Sequence, residues 1–224
     1  MLTELLNKYQ FSFYPLLGKS FQKEDFCNID LSAENPSLDI ERIQTYDGLA
    51  AFIERMLKKN NAKVGIGGYL EKRVLYQKSA NFKSSEENRN IHLGLDWWSK
   101  AGTRIFAPLD GEVHSFKYND GYLDYGATII LQHDLEGVVF YTLYGHLNLE
   151  SLNDLSKGKL IKKGTAFTAM GERHENGGWV PHLHFQIIQD MMGKEGDFPG
   201  VSSEIQLNEF SQNCPNPIFF TKNN

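Results

Sequence analysis

The chain has 224 residues, which suggests one domain or one domain with a substantial extension. Hydrophobic residues make up 41% and charged residues 23%, so the chain can bury an apolar core without disulfides and is not of the disordered class. The formal net charge of −5 excludes a chain-wide attraction to nucleic acid or anionic lipid, and the basic stretch at 157–163 is interpreted as a solvated turn.

The first ninety residues have a different sequence pattern from the rest of the chain. Residues 47–60 place their apolar side chains on one helical face, which predicts a helix with Asp47 as its N-cap. A glycine-rich break at 65–68 and an extended stretch at 69–77 follow. We expect residues 1–89 to form an N-terminal α+β extension that covers a groove of the main domain, extends its sheet or binds a partner.

From residue 90 onwards, short apolar stretches alternate with turns. The stretches that predict strands are 91–98, 104–109, 111–118, 127–134, 138–147 and 182–190. This pattern predicts a mainly β fold, a two-sheet antiparallel sandwich or barrel-like core, over residues 90–190. Residues 191–224 are expected to be a C-terminal tail packed on that core, with 215–220 extended.

The cysteine content and the N-terminal residues indicate the cellular compartment of the protein. Cys27 and Cys214 are the two cysteines and stand far apart, so two reduced thiols are expected rather than a disulfide. The first twenty residues include Glu4 and Lys8 and lack an apolar core after a basic start, unlike a signal peptide. No later stretch has the length and apolarity of a membrane span. These features predict a cytoplasmic protein.

Two of the seven histidines, His182 and His184, flank a single leucine. In a strand such residues share one face, with Cα atoms roughly 6.6 Å apart. One imidazole could bind a metal ion while the other lies beside a bound water molecule. A chance pairing explains the motif equally well when it is taken alone.

His92 and Asp96 are separated by Leu-Gly-Leu. On a straight strand they would lie about 13 Å apart, too far to share an ion at bond lengths of about 2 Å. Gly94 at the midpoint offers a bend or bulge that would bring them together. Otherwise Asp96 is a turn residue before two tryptophans.

His146 ends the most apolar stretch of the chain, where a polar side chain requires either a backbone partner or a cleft. Together these positions offer two histidines and one aspartate as ligands, with two further histidines beside them. A catalytic zinc ion takes three protein ligands and a water molecule, whose pKa it lowers to about 7. The set therefore predicts hydrolysis in which zinc-bound water attacks a carbonyl, whereas a closed structural site would normally contain cysteines.

Five sequence blocks carry a resemblance to a known family. In chain order they are HLGLD, APLDGEV, DYGATIILQHD, YTLYGHL and PHLHFQI. Together they resemble the lysostaphin-type zinc endopeptidases, metallopeptidase family twenty-three, over about residues 90–190. The resemblance implies a two-sheet antiparallel β fold with one zinc ion in a groove on the large sheet. It also implies a peptide or peptidoglycan-like substrate.

The resemblance assigns roles residue by residue. His92, Asp96 and His184 match the zinc ligands of the family. His182 matches a catalytic histidine that serves as general base. His146 matches the other catalytic histidine, which stabilises the developing oxyanion.

The chain departs from the family pattern in three respects. The loop GERHENGGWVP is longer and bulkier than usual, and Trp179, with His174 and Glu175, could alter or narrow the groove. Gln186 stands where the family often has glutamate. No export signal is recognised, although cell-wall peptides lie outside the cytoplasm. Two alternatives to an endopeptidase therefore remain, a zinc-binding module without peptidase activity and an intracellular amidase acting on a small substrate.

Four other residues are assigned no function. His114 and His133 lie on predicted strands and are not among the five residues to which the resemblance assigns a role. Tyr122 and Tyr125 could border a cleft, but packing within their own turn is the preferred interpretation.

Overall fold

The structure, a computed structural model, describes residues 1–75 and 88–221. The strands within these ranges are β1 (Phe26–Asn28), β2 (Val64–Gly67), β3 (Ile91–His92), β4 (Leu95–Trp98), β5 (Arg104–Phe106), β6 (Gly111–Asn119), β7 (Gly126–Leu135), β8 (Val138–Leu147), β9 (Leu160–Ile161), β10 (Ala166–Ala169), β11 (His182–Ile188) and β12 (Val201–Ser202). The α-helices are α1 (Leu2–Tyr9), α2 (Ile40–Ile43), α3 (Tyr46–Lys59) and α4 (Leu207–Asn213). The predicted mainly β fold is confirmed. None of the described helices has both the length and the apolarity that crossing a bilayer requires.

One large sheet organises the molecule. Its eight strands follow the order β1-β2-β4-β11-β8-β7-β6-β9, and β10 with β5 and β12 with β3 form two small sheets. Within the described strands, β1 and β2 pair in parallel and the other neighbours pair antiparallel. Strands β4, β11 and β8 are therefore adjacent, although β4 and β11 are far apart along the chain.

Strand β11 shows how the alternation of a strand separates core from site. Its odd-numbered side chains, Leu183, Phe185 and Ile187, are fully buried in the main hydrophobic core. Since successive side chains point to opposite faces, His182 and His184 lie on the other face of the sheet. The same alternation places Asp96 on that face of β4, because Trp97 belongs to the core.

The N-terminal segment extends the large sheet, which is one of the three roles considered for it. Strand β2 pairs with β4, and β1 adds a further strand outside β2. Helix α3 packs through Leu49, Phe52 and Ile53 into a second apolar cluster that also contains Trp98. Of the predicted extended stretch at 69–77, residues 76 and 77 lie outside the described residues.

Helix α3 begins one residue before the predicted start. Thr45 is extended, and its side-chain oxygen accepts from the backbone N–H of Gly48 at 3.1 Å. The predicted N-cap, Asp47, is wrong because Asp47 already lies within the first helical turn, where its charge favours the helix dipole.

The predicted strand at 91–98 is divided at Gly94. Strand β3 pairs with β12 in a small sheet, whereas β4 belongs to the large sheet, so the chain changes sheets between them. A Cβ atom on Gly94 would lie 2.7 Å from His184 Cε1 and 2.7 Å from the carbonyl oxygen of Phe185. The bend at glycine thus allows the two halves of the motif to approach β11 closely.

The C-terminal residues pack on the core in a form that the sequence did not indicate. Residues 215–220 were expected to be extended, but Pro217–Thr221 form a 3₁₀ helix, which follows α4. The extended prediction is wrong because a helical turn buries Phe220, which stacks on Phe13 at a ring distance of 4.4 Å. Cys27 and Cys214 do not form a disulfide.

Candidate metal centre

The pairing of β4 with β11 places Asp96 directly opposite His184. The carboxylate oxygen Oδ1 of Asp96 lies 3.4 Å from His184 Nδ1 and 3.3 Å from His92 Nε2. His92 Nε2 and His184 Nδ1 are 2.8 Å apart. The bend at Gly94 thus brings both ends of the HLGLD block to β11, and the three side chains offer ligand atoms within 4.8 Å of one another.

Outer contacts fix which ring nitrogen of each histidine carries a proton. His92 Nδ1–H donates to the carbonyl oxygen of Gly68 at 2.9 Å, since a carbonyl only accepts. His184 Nε2–H donates to Gln186 Oε1 at 3.0 Å. The amide of Gln186 is oriented by its own donor, which reaches the carbonyl of Pro199 at 3.1 Å. The nitrogens that face each other therefore both carry lone pairs.

This arrangement fits a divalent cation. Two imidazole lone pairs 2.8 Å apart repel each other, and Asp96 Oδ1 is a buried carboxylate oxygen that has no hydrogen bond with any described residue. A buried polar atom without a partner is costly in a protein interior, and a cation among the three atoms removes that cost. Two imidazoles with one carboxylate form a donor set that suits zinc. His92 and His184 would contribute the nitrogen ligands, and Asp96 the oxygen ligand.

The protonation states of the site are those that metal binding requires. Burial, together with the nearby Arg73 guanidinium, lowers the pKa of His92 to about 4 despite the opposing effect of Asp96. Burial alone would raise the pKa of Asp96, but the positive charges of His92, when protonated, and Arg73 outweigh it and hold that pKa well below its usual range. At neutral pH the imidazole is neutral and the carboxylate is ionised.

His182 lies on the same face of β11, beside the three candidate ligands. Its Nδ1–H donates to the carbonyl of Val180 at 2.7 Å, which leaves Nε2 unprotonated, 3.9 Å from Asp96 Oδ1. The ring stacks on Trp98 with centroids 4.1 Å apart. Burial lowers the pKa of His182 to about 4. The backbone contact and the stacked indole thus hold a neutral imidazole whose Nε2 can accept a proton.

His146 reaches the cleft from the end of β8. Its φ of 62° lies in the left-handed region, and its Nδ1–H donates to the carbonyl of Asn176 at 2.9 Å. Its ring centroid lies 4.2 Å from that of His182. Burial, followed by the nearby charges of His182 and His184, holds the pKa of His146 well below its usual range. A proton on either His146 or His182 therefore disfavours a second proton on the other ring.

The histidines and Asp96 line a cleft of about 480 Å³, which includes the space at its mouth. Its remaining wall is largely apolar and contains Leu75, Leu123, Trp179 and Val201. Of the three loop residues expected to alter the groove, Trp179 lines it and donates through Nε1 to the carbonyl of Asp124 at 3.1 Å.

The other two loop residues, His174 and Glu175, are not among the residues that line the described cleft. His174 is 74% exposed, and the Glu175 carboxylate accepts backbone N–H groups of Leu149 and Glu172. Glu175 therefore holds the loop through backbone contacts, and neither residue narrows the described cleft.

Tyr125 was missed as a site residue. Its hydroxyl lies 3.4 Å from His184 Nε2, and its ring meets that imidazole edge-on at 5.1 Å. The preferred interpretation, packing within the turn, is wrong for Tyr125 because Gly145 leaves the space that the ring occupies; a Cβ there would lie 2.5 Å from it. The glycine before His146 is the sequence signal that could have indicated this. Tyr122, by contrast, is 70% exposed.

Arg73 was also missed. Its Nη1 donates to Asp96 Oδ2 at 2.6 Å, and the side chain is 3% exposed. Because Arg73 lies outside the five sequence blocks, no local spacing indicates the contact. His114 and His133 do not line the described cleft.

A comparison with known families matches the part of the chain that contains most of these residues. Residues 90–196 match the family model described as Peptidase family M23. This segment, just under half of the chain, is similar to the peptidase M23 domain. The match begins immediately before β3 and includes both halves of the candidate metal centre on β3, β4 and β11.

Individual relatives resemble parts of the chain. The chain is 34% identical over 96 residues to a Haemophilus influenzae protein named uncharacterized metalloprotease, a match that covers 43% of this chain and 18% of that protein. The chain therefore spans less than a fifth of that relative. A zinc-containing peptidase from Vibrio cholerae is similar at 26% identity over 47% of this chain and 29% of its own, with a TM-score of 0.35. The lysostaphin catalytic domain from Staphylococcus simulans shares 22% identity over 67% of this chain and 94% of its own, with a TM-score of 0.36.

Proposed function

We propose that the M23-like segment is a zinc-dependent peptidase that hydrolyses an amide bond of a peptide, including peptides of the cell-wall type. The proposal depends on one observation. The ligand atoms of His92 and His184 meet Asp96 Oδ1, which has no hydrogen bond among the described residues, and two neutral histidines lie beside them. Zinc, when bound, acts as a Lewis acid that polarises a carbonyl and lowers the pKa of water.

His182 is proposed as the general base. Its Nδ1 proton is held by Val180, so Nε2 is the nitrogen that accepts a proton from the attacking water. Asp96 raises the proton affinity of His182, since the carboxylate lies 3.9 Å from Nε2. The imidazolium formed in this way can pass its proton to the leaving amine.

His146 is proposed to stabilise negative charge on the carbonyl oxygen. In the tautomer set by Asn176, its Nε2 accepts at rest and donates only after taking up a proton. The ring distance of 4.2 Å to His182 allows the pair to hold one proton between them. The proton that His182 takes from water can therefore be held by either ring: on His146 it is donated to the developing oxyanion, and on His182 it passes to the leaving amine.

The test is cleavage of a panel of peptides and muropeptides by the purified chain with one equivalent of zinc. His182→Ala should retain zinc and lose cleavage, whereas His184→Ala should lose both. His174→Ala is the matched control, because that histidine is exposed and outside the cleft, and it should cleave like the wild type. Cleavage by His182→Ala at the wild-type rate would refute the assigned mechanism.

A second candidate function is hydrolysis of a short amide rather than of a long peptide cross-link. It is favoured by the burial of the site: His92 is 2%, His182 4% and His146 6% exposed. The cleft over these residues has a largely apolar wall, which suits a compact substrate. Trp179, itself 8% exposed, forms part of its wall.

Substrate length separates the two candidates. A series that presents the same scissile bond in a dipeptide amide, a hexapeptide and a cross-linked muropeptide should be ranked by kcat/KM. Highest values for the longest members support a cell-wall-type peptidase. Highest values for the dipeptide amide, with no turnover of the muropeptide, support the small-substrate hydrolase.

A further inference from the structure

The segment Gly68–Arg73 lies before the region that matches the M23 family model, yet it contacts two of the three candidate ligands. Gly68 accepts from the ring of His92, and Arg73 donates to Asp96. Its backbone pairs with the ligand segment, since His92 N–H donates to the carbonyl of Glu71 at 3.0 Å. The candidate metal centre is thus completed by residues from the N-terminal part of the chain.

We propose that Arg73, held by Glu71, is a positioning residue that fixes the carboxylate of Asp96 so that a single oxygen faces the ion. The inference rests on the proposed function, in which His92, Asp96 and His184 bind zinc. It makes the N-terminal segment part of the metal centre rather than an appendage to the peptidase domain.

The geometry of the carboxylate is the first argument. Arg73 Nη1 donates to Oδ2 of Asp96 at 2.6 Å, a short charge-assisted hydrogen bond, while Oδ1 has none within the described part of the chain and faces the two imidazoles. Rotation of the carboxylate would break the bond to Arg73 in a buried site where water does not replace it. Asp96 is therefore restricted to binding an ion through Oδ1 alone, which preserves four-coordination with a position for water.

The support of Arg73 is the second argument. Its Nε donates to Glu71 Oε2 at 2.5 Å, and Glu71 Oε1 accepts the backbone N–H of Leu31 at 2.9 Å. Gly68 has a φ of 106°, and a Cβ there would lie 1.9 Å from Arg73 Nη2. The guanidinium thus lies in a space that glycine alone leaves open, with its plane fixed by Glu71 and Asp96.

Charge is the third argument. A lone guanidinium next to the site would repel a divalent cation and weaken its binding. Glu71 neutralises Arg73 within the same buried group, at 10% and 3% exposure. The pair therefore orients Asp96 without adding a net positive charge beside the ion. Loss of Glu71 should then weaken metal binding even though Arg73 still contacts Asp96.

The experiment measures zinc affinity by competition with a chromophoric chelator, together with the visible spectrum of the cobalt-substituted protein. Arg73→Met should raise the zinc Kd by about 10–100-fold, the usual effect of removing an outer partner of a ligand. Its cobalt absorption should weaken, because a freed Asp96 that binds through both oxygens raises the coordination number. A merely structural loss of stability would leave that spectrum unchanged.

Two further variants keep the result interpretable. Glu71→Gln retains the shape of the side chain and should raise the zinc Kd by about tenfold. Lys72→Gln is the matched control, since Lys72 lies in the same segment, pairs with Glu204 at the surface and is 56% exposed; its Kd and spectrum should equal those of the wild type. Thermal unfolding in excess chelator shows which variants fold without metal. If Arg73→Met does not fold, Glu71→Gln decides the outcome.

Wild-type affinity and an unchanged cobalt spectrum in Arg73→Met or, where that variant does not fold, in Glu71→Gln would overturn this inference alone. Failure of the wild type to take up zinc would overturn the proposed function and this inference together. A loss of affinity in Lys72→Gln equal to that in Glu71→Gln would also overturn it, because the effect would then belong to the segment rather than to the buried pair.

Discussion

Replacing Gly94 by alanine tests the local geometry on which the metal centre depends. The added Cβ would lie 2.7 Å from His184 Cε1, 2.7 Å from the carbonyl oxygen of Phe185 and 2.8 Å from His184 Nε2. Ordinary contacts of a Cβ atom are 3.4–4 Å. Either β3 and β4 must move by roughly 0.7 Å or the imidazole must swing away, and metal sites tolerate only about 0.2 Å in ligand distance.

We therefore expect Gly94→Ala to raise the zinc Kd by at least about tenfold, as a disturbed ligand contact does. Overpacking of this kind also lowers the free energy of unfolding by about 1–3 kcal/mol. The two effects can be measured separately, by chelator competition for zinc and by urea unfolding of the metal-free protein. Because the close contact with Phe185 is to its backbone carbonyl, relieving it would require strand β11 itself to move.

Gly137→Ala is the control. This glycine has a φ of 80° and no atom of a described residue within 4 Å of an added Cβ, so alanine there introduces backbone strain without steric contact. It should cost about 1–2 kcal/mol of stability and leave zinc binding unchanged. Equal zinc affinity in Gly94→Ala and the wild type would refute the argument that the bend is packed against His184.

Three other predictions concern single side chains. Burial lowers the pKa of His133 from 6.5 to about 4. As the pH falls, this histidine is therefore protonated first in the unfolded chain, which destabilises the fold of the wild type. Between pH 7 and 5 the free energy of unfolding of His133→Gln should fall by about 2 kcal/mol less than that of the wild type, as measured by urea unfolding. An equal fall in both proteins would contradict this. Gln186→Met removes the acceptor that orients His184 and should raise the zinc Kd by about 10–100-fold in the same competition assay, and an unchanged Kd would count against that orienting role. Trp179→Ala widens the cleft and should raise kcat/KM for bulky substrates relative to small ones, whereas an unaltered ratio would exclude the indole as a limit on substrate size.

Much of the fold could be predicted from the sequence because its signals are local. Strand β8 was predicted at 138–147 and runs from Val138 to Leu147, since a long apolar stretch between turns has few alternatives. The same local pattern indicated α3, with an error of one residue at each end. The two-residue spacing of His182 and His184 placed both on one face of β11, as strand geometry requires.

Other features of the fold could not be predicted from local sequence patterns. The 3₁₀ helix at Pro217–Thr221 depends on Phe220 finding Phe13, a residue at the opposite end of the chain. Tyr125 reaches His184 because Gly145, on a neighbouring strand, leaves room. The periodicity of apolar residues does not indicate such contacts, because they depend on which strands become neighbours.

The sequence by itself determined the chemistry that is available: imidazoles and a carboxylate at spacings that a strand and a glycine bend can bring together. Only the tertiary structure decided that these groups meet within 4.8 Å, and that Arg73 orients the carboxylate from outside the family-matched segment. The physical reason is that residue type and strand alternation are properties of neighbours along the chain, whereas register between strands and the packing of buried charges are fixed by the whole folded molecule at once.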